Sequence, residues 1–145
     1  MADKLTIDSL KKLRDDLRSR TRIEDLGKKI KITVHMGTCG LASGAQEIYD
    51  AVLAQIKEKN LTDIAVTTGE ELEADRDDSD MILTTSGCAG MCCNEPMMTI
   101  KIANHPAVMY QKLTPAKVAK IVEEHVIGGN VVKAYALAMG PEAAY

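Results

Sequence analysis

The sequence predicts an α/β domain, a mixed sheet flanked by helices, behind an N-terminal helical extension. Three observations carry this. Segments that alternate in polarity residue by residue, such as Ile30-Lys31-Ile32-Thr33-Val34-His35-Met36, are interleaved with segments of helical period. Their order is strand, helix, two strands, a hairpin and a final helix, the pattern of helices packed on a sheet. A chain of 145 residues with a hydrophobic content of 46% suits one domain with a real core.

Residues 1–29 read as the extension. Thr6 or Asp8 can cap a helix over 6–20, with Leu10, Leu13 and Leu17 at helical spacing. So narrow an apolar stripe predicts a docking helix rather than a core one. Residues 30–129 form the domain proper. In the first strand, 30–36, Ile30, Ile32, Val34 and Met36 share one face, and Lys31, Thr33 and His35 share the other. A small-residue loop with Gly37, Cys39 and Gly40 then leads to Ser43, the expected N-cap of a helix through about Lys59. Ala45, Ile48, Tyr49, Val52, Leu53 and Ile56 mark its buried face.

Residues 63–67 read as the second strand. Residues 70–80 hold seven acids and one Arg and are expected as a solvent-exposed insertion. Met81 to Thr85 is a strand entering a second loop, Ser86 to Pro96. Two further strands, 97–103 and 108–113, are joined by the turn Asn104-His105-Pro106. The final helix has Thr114 as cap and Pro115 at its first position. Val118, Ile121, Val122 and His125 or Val126 form its face, and Gly128-Gly129 stops it. Residues 130–145 are expected as a small-residue tail. This order, a parallel first half and an antiparallel hairpin, is that of a thioredoxin-like sheet.

The four cysteines are confined to the two loops, Cys39 in one and Cys88, Cys92 and Cys93 in the other. Thiols gathered this way suggest a shared site where the loops meet. Soft thiolates select iron–sulfur clusters, zinc or copper(I). Cys39, Cys88, Cys92 and His35 would also make a Cys₃His zinc set. The absence of a CxxC pair weighs against a thiol oxidoreductase. Four Tyr with no Phe or Trp give no stacking platform for single-stranded nucleic acid, and a formal charge of −3 gives no basic footprint. No apolar run is long enough for a membrane span, and the first residues lack a signal-peptide core. The expected compartment is the cytoplasm, where clustered cysteines bind metal or react more often than they form structural disulfides.

The phrase Gly37-Thr38-Cys39-Gly40-Leu41-Ala42-Ser43-Gly44-Ala45, then Ser86-Gly87-Cys88-Ala89-Gly90-Met91-Cys92, then Glu95-Pro96, then Thr114-Pro115 and Glu123-Glu124-His125, resembles the thioredoxin-like [2Fe–2S] ferredoxins. The resemblance spans roughly residues 30–132. It implies one-electron transfer through a [2Fe–2S] centre. It also implies a role as a small ferredoxin-type subunit beside larger flavin- or NAD(P)H-binding redox subunits, as in complex I, hydrogenases and formate dehydrogenases. In that family two loops each give two cysteines, with four residues between the members of the first pair and three between those of the second. Carried over, Cys88 and Cys92 are the second pair and Cys39 completes the first. The remaining position is Val34. A subgroup of similar small proteins lacks the same cysteine. Candidates to replace it are His35, Cys93, water or a partner's side chain. Strand alternation turns His35 away from the loop unless the strand bulges. The alternative is a docking subunit without a cluster. Ten of the eighteen Lys and Arg fall in residues 1–31 against six acids, so the N-terminal helix is the expected docking element, with a homodimer for the isolated protein.

Overall fold

The computed structural model describes residues 6–21, 29–61, 64–67 and 80–140. Helix α1 (Ile7–Thr21) stands where the N-terminal helix was expected. Strand β1 (Ile30–His35) is followed by a short helix α2 (Thr38–Ala42) and the longer α3 (Ala45–Glu58). Then come β2 (Ile64–Thr67), β3 (Met81–Ser86), a 3₁₀ turn over Cys92–Asn94, β4 (Met98–Ile102) and β5 (Ala107–Tyr110). Helix α4 (Pro115–Ile121) continues as a wider π-helical stretch over Val122–Ile127, and β6 (Ala136–Gly140) closes the fold.

The sheet has the order β2-β3-β1-β4-β5-β6. β2, β3 and β1 are parallel, and β4, β5 and β6 pair antiparallel from β1 outward. This is the thioredoxin-like mixed sheet that the element order predicts. The register fixes where the loops leave. His35 at the end of β1 lies beside Ser86 at the end of β3, and Val34 pairs with Met98 at the start of β4. The loops after β1 and after β3 therefore emerge side by side at one end of the sheet, the cysteine end.

Two predicted features differ. Ser43 does not cap α3. It ends α2, its hydroxyl donates to the Cys39 carbonyl at 2.7 Å, and Gly44 takes the N-cap of α3. The helix α2 is too short to show a period, which is why the sequence reads there as loop. The expected tail 130–145 also gains structure. Residues Ala136–Gly140 form an edge strand on β5, although Ala, Leu, Met and Gly carry no β-branched or aromatic signal. The acidic segment lies outside the described residues except for Asp80. Asp80 accepts the ammonium of Lys29 at 2.6 Å and the Ile30 amide at 3.1 Å.

One face of the sheet carries the core. Ile32 and Val34 of β1, Leu83 of β3, Met98 and Ile100 of β4 and Val108 and Tyr110 of β5 meet Ile48 and Val52 of α3 and Val118 and Ile121 of α4. Each fully buried aliphatic of this set stabilises the fold by about 1.5–3 kcal/mol. Thr114 caps α4 as predicted, accepting from the Lys117 amide at 3.4 Å. Under α4, the Tyr110 hydroxyl lies 2.9 Å from Nδ1 of His125 and accepts the Val132 amide at 3.3 Å. Burial pushes the Tyr110 phenol up, and burial followed by the nearby His105 pushes the His125 imidazole down. Among the described residues, no helix is long and apolar enough to cross a membrane.

Candidate metal centre

Two loops build the site. After β1 the chain must turn at once into α2, and it does so against the opposite loop. Gly37 sits so close to Cys88 that a Cβ there would lie 2.7 Å from the Cys88 Cβ and 2.8 Å from its backbone nitrogen. No side chain fits at that approach, so glycine is required by space. Gly40 is likewise pressed against the His35 carbonyl. The two cysteine loops thus pack directly on each other, as the shared-site expectation needs.

All four cysteines are free and exposed. Cys88 and Cys92 are paired, with their Sγ atoms 3.6 Å apart, and the Gly90 amide donates to the Cys88 sulfur at 3.2 Å. Two thiolates about 2.3 Å from one tetrahedral metal stand roughly 3.8 Å apart. The observed spacing is close to that bite, so this pair fits one iron of a thiolate-held cluster. The Gly90 amide adds the type of N–H bond that tunes such a centre.

The rest of the predicted donor set is not gathered. Among the described residues, no three His, Cys, Asp or Glu side chains converge in a group able to hold one metal ion. Cys39 therefore does not join Cys88 and Cys92 at a single metal, although its loop lies against theirs. The Cys₃His zinc arrangement is not assembled for the same reason, and Cys93 does not complete it. His35 is also committed elsewhere. β1 runs through it without a bulge, and its ring lies 2.9 Å from the Thr99 hydroxyl and 3.3 Å from the Gly87 carbonyl. Alternation puts His35 on the face opposite Val34, but its ring still reaches the Gly87 carbonyl at the start of the second cysteine loop. Val34, at the position of the missing cysteine, is fully buried in the core.

One residue of the site was not singled out from the sequence. Glu95 is buried, and neither of its carboxylate oxygens has a hydrogen-bond partner among the described residues. It follows the Cys92–Asn94 turn, is joined to Pro96 by a cis peptide bond, and lies under α2, where a Cβ on Gly40 would sit 3.4 Å from its Oε2. The signal in the sequence was the Glu95-Pro96 pair among the motifs of the resemblance, which gave the acid no role of its own. An apolar rim accompanies the thiols, since Leu41 and Met91 are both exposed.

Comparison with known proteins gives a consistent result. Residues 21–125 match the family model described as thioredoxin-like [2Fe–2S] ferredoxin. A relative from Clostridium pasteurianum, "Ferredoxin, 2Fe-2S", is 34% identical over 76 residues, which span 52% of this chain and 71% of that protein. The structure of a thioredoxin-like [2Fe–2S] ferredoxin from Aquifex aeolicus superposes with a TM-score of 0.57 at 17% identity, covering 81% of this chain and 98% of that one. A second structure, the wild-type ferredoxin of the same organism, gives a TM-score of 0.56 at 18% identity over 77% and 98%. Both structures share the fold.

Proposed function

The chain belongs to the thioredoxin-like [2Fe–2S] ferredoxin family, and on that premise we propose that it is a small electron-transfer subunit of a larger NAD(P)H-linked redox complex, such as a hydrogenase or formate dehydrogenase. When bound, a [2Fe–2S] centre supplies one-electron transfer. The chain's part is to hold and shield it. Cys88 and Cys92 would hold one iron, and Cys39 would serve the other beside a fourth donor, which is His35, Cys93, water or a partner's side chain. The observation that carries this reading is the 3.6 Å spacing of Cys88 and Cys92 on a loop packed against the loop of Cys39.

The fold assigns the remaining work. Gly37 keeps the two loops in contact. The Gly90 amide aims a dipole at the Cys88 sulfur. The exposed Leu41 and Met91 give a dry collar where another carrier's surface can approach. Helix α1 exposes Ile7, Leu10 and Leu13, and it is the proposed docking element toward a flavin- or NAD(P)H-binding subunit or a second copy. Four free cysteines suit a reducing compartment, so the proposed location is the cytoplasm.

A second reading, a docking subunit without a cluster, is favoured by Val34, whose side chain is buried where a first ligand is needed. Anaerobic reconstitution with iron and sulfide, followed by a visible spectrum and analysis for iron, zinc and acid-labile sulfide, separates the two. Equal iron and sulfide with a charge-transfer spectrum is the expected result. Zinc alone, or no metal with a folded chain, would refute the cluster. For α1, a chain beginning at Lys28 should stay folded and lose self-association or binding to the larger subunit. Unfolding of that chain would place the helix in the domain core.

A further inference from the structure

The close pair of sulfurs has a second chemistry open to it whenever no metal holds it. Cys88 and Cys92 are exposed, their sulfurs are 3.6 Å apart, and both lie on one short loop. A disulfide needs its sulfurs at about 2.05 Å. Closing the difference requires only a small rotation on each side chain, and the intervening chain can follow. Gly90 turns the backbone between them at φ +81°, and open space surrounds both Gly87 and Gly90. Neither Cys39 nor Cys93 has such an approach to another thiol among the described contacts. We infer that, in the cluster-free chain, Cys88 and Cys92 form a reversible intrachain disulfide that closes the site to metal.

The step balances with a low-molecular-weight disulfide as oxidant. One cysteine thiolate attacks a sulfur of that disulfide, breaking its S–S bond and releasing one thiolate. The second cysteine, as thiolate, then attacks the Sγ of the first cysteine in the mixed disulfide, forming the Cys88–Cys92 bond and expelling the remaining half of the small disulfide as thiolate. Two cysteine thiols are oxidised, one small disulfide is reduced to two thiols, and the two cysteine protons pass to the leaving groups. Cys39 and Cys93 stay free, and two thiols on separate stretches cannot replace the lost pair. This inference rests on the cluster reading only for its consequence, the block to loading. The bond itself does not depend on that reading.

The test uses the full, reduced, cluster-free chain and oxidised glutathione. The expected product is lighter by two hydrogens and carries no glutathione. Two of its four cysteines remain open to alkylation, and its peptide map joins Cys88 to Cys92. It should take up no iron and sulfide until dithiothreitol reopens the pair. Cys92→Ser should stop at a mixed disulfide with glutathione, whereas Cys39→Ser and Cys93→Ser should still close. A wild-type chain that keeps four free thiols, holds stable glutathione adducts or joins Cys39 or Cys93 instead would overturn the inference. Mass and thiol counts need no cluster. A chain that forms the bond but takes up no iron when reduced therefore supports the disulfide and refutes the cluster reading alone.

Discussion

Replacing Gly37 by alanine is the sharpest test of how the two loops are held. On backbone grounds the change should help. Gly37 has φ −65° and ψ 172°, which alanine adopts without strain, and stiffening the unfolded chain there is worth about 0.4–1 kcal/mol. Space decides against it. The new methyl would stand within 2.9 Å of the Cys88 backbone nitrogen, Cα and Cβ. Backbone on a packed loop cannot swing aside as a side-chain tip can, so overpacking of about 1–3 kcal/mol is expected. The net loss is about 1–2 kcal/mol. With a urea dependence of about 2 kcal/mol per molar, the unfolding midpoint should fall by roughly 0.5–1 M. Gly87→Ala is the internal control. It lies on the same loop as Cys88, nothing stands within 4 Å of its would-be methyl, and its midpoint should hold or rise slightly. Equal midpoints for the two variants would refute the argument, because the loops would then be free to part without cost. A second readout is the site itself. If Gly37→Ala displaces Cys88, closure of the Cys88–Cys92 disulfide should slow in that variant and not in Gly87→Ala.

Tyr110→Phe leaves the His125 Nδ1 and the Val132 amide without their shared hydroxyl, so a loss of about 1–3 kcal/mol is expected in urea unfolding. Unchanged stability would mean that water replaces the hydroxyl. Burial holds the His125 imidazole below its ordinary value, so the unfolded chain binds that proton more readily than the folded one. This contribution is complete above about pH 6.5 and is lost progressively as the pH falls below it. Urea midpoints measured from pH 8 down to pH 5 should decline, and the decline should flatten in His125→Asn. A wild-type midpoint constant over that span would contradict the sign. Glu95→Met removes a buried carboxylate with no partner among the described residues and should raise stability by about 1–3 kcal/mol. A lower midpoint would show that Glu95 makes a bond in solution.

The strands and long helices were legible because burial on one side imposes a period. β1, β4 and β5 and helices α3 and α4 carry the one-faced patterns that their burial requires, whereas β3 reads as a short continuous apolar run because Met81, Ile82 and Leu83 are all buried. The same alternation puts His35 on the face opposite Ile32 and Val34, from where its ring reaches Thr99 and the Gly87 carbonyl of the second cysteine loop. What escaped was set by neighbours. Helix α2 spans a single turn and a half, too little for any periodicity. Strand β6 is drawn from Ala, Leu, Met and Gly and exists because β5 offers it an unpaired edge. For the site, the positions of the cysteines predicted two loops in contact, and the structure brings those loops together. Sequence spacing could not show that only Cys88 and Cys92 approach each other closely, because thiol separation depends on how the Gly90 turn folds the loop.

The register of the sheet has a practical consequence for tethering. Ile30 pairs with Ile102, and Ala107 pairs with Gly140, so both Ile30 and Gly140 lie at the end remote from the thiols. A strand of six residues separates the two ends by about 20 Å. An attachment made at residue 30 or at residue 140 itself therefore leaves from the remote end. Immobilised on an electrode through either residue, the domain would present its thiols outward to a soluble carrier. A redox partner joined at either residue would need a linker able to run back along the full height of the sheet before it could face them.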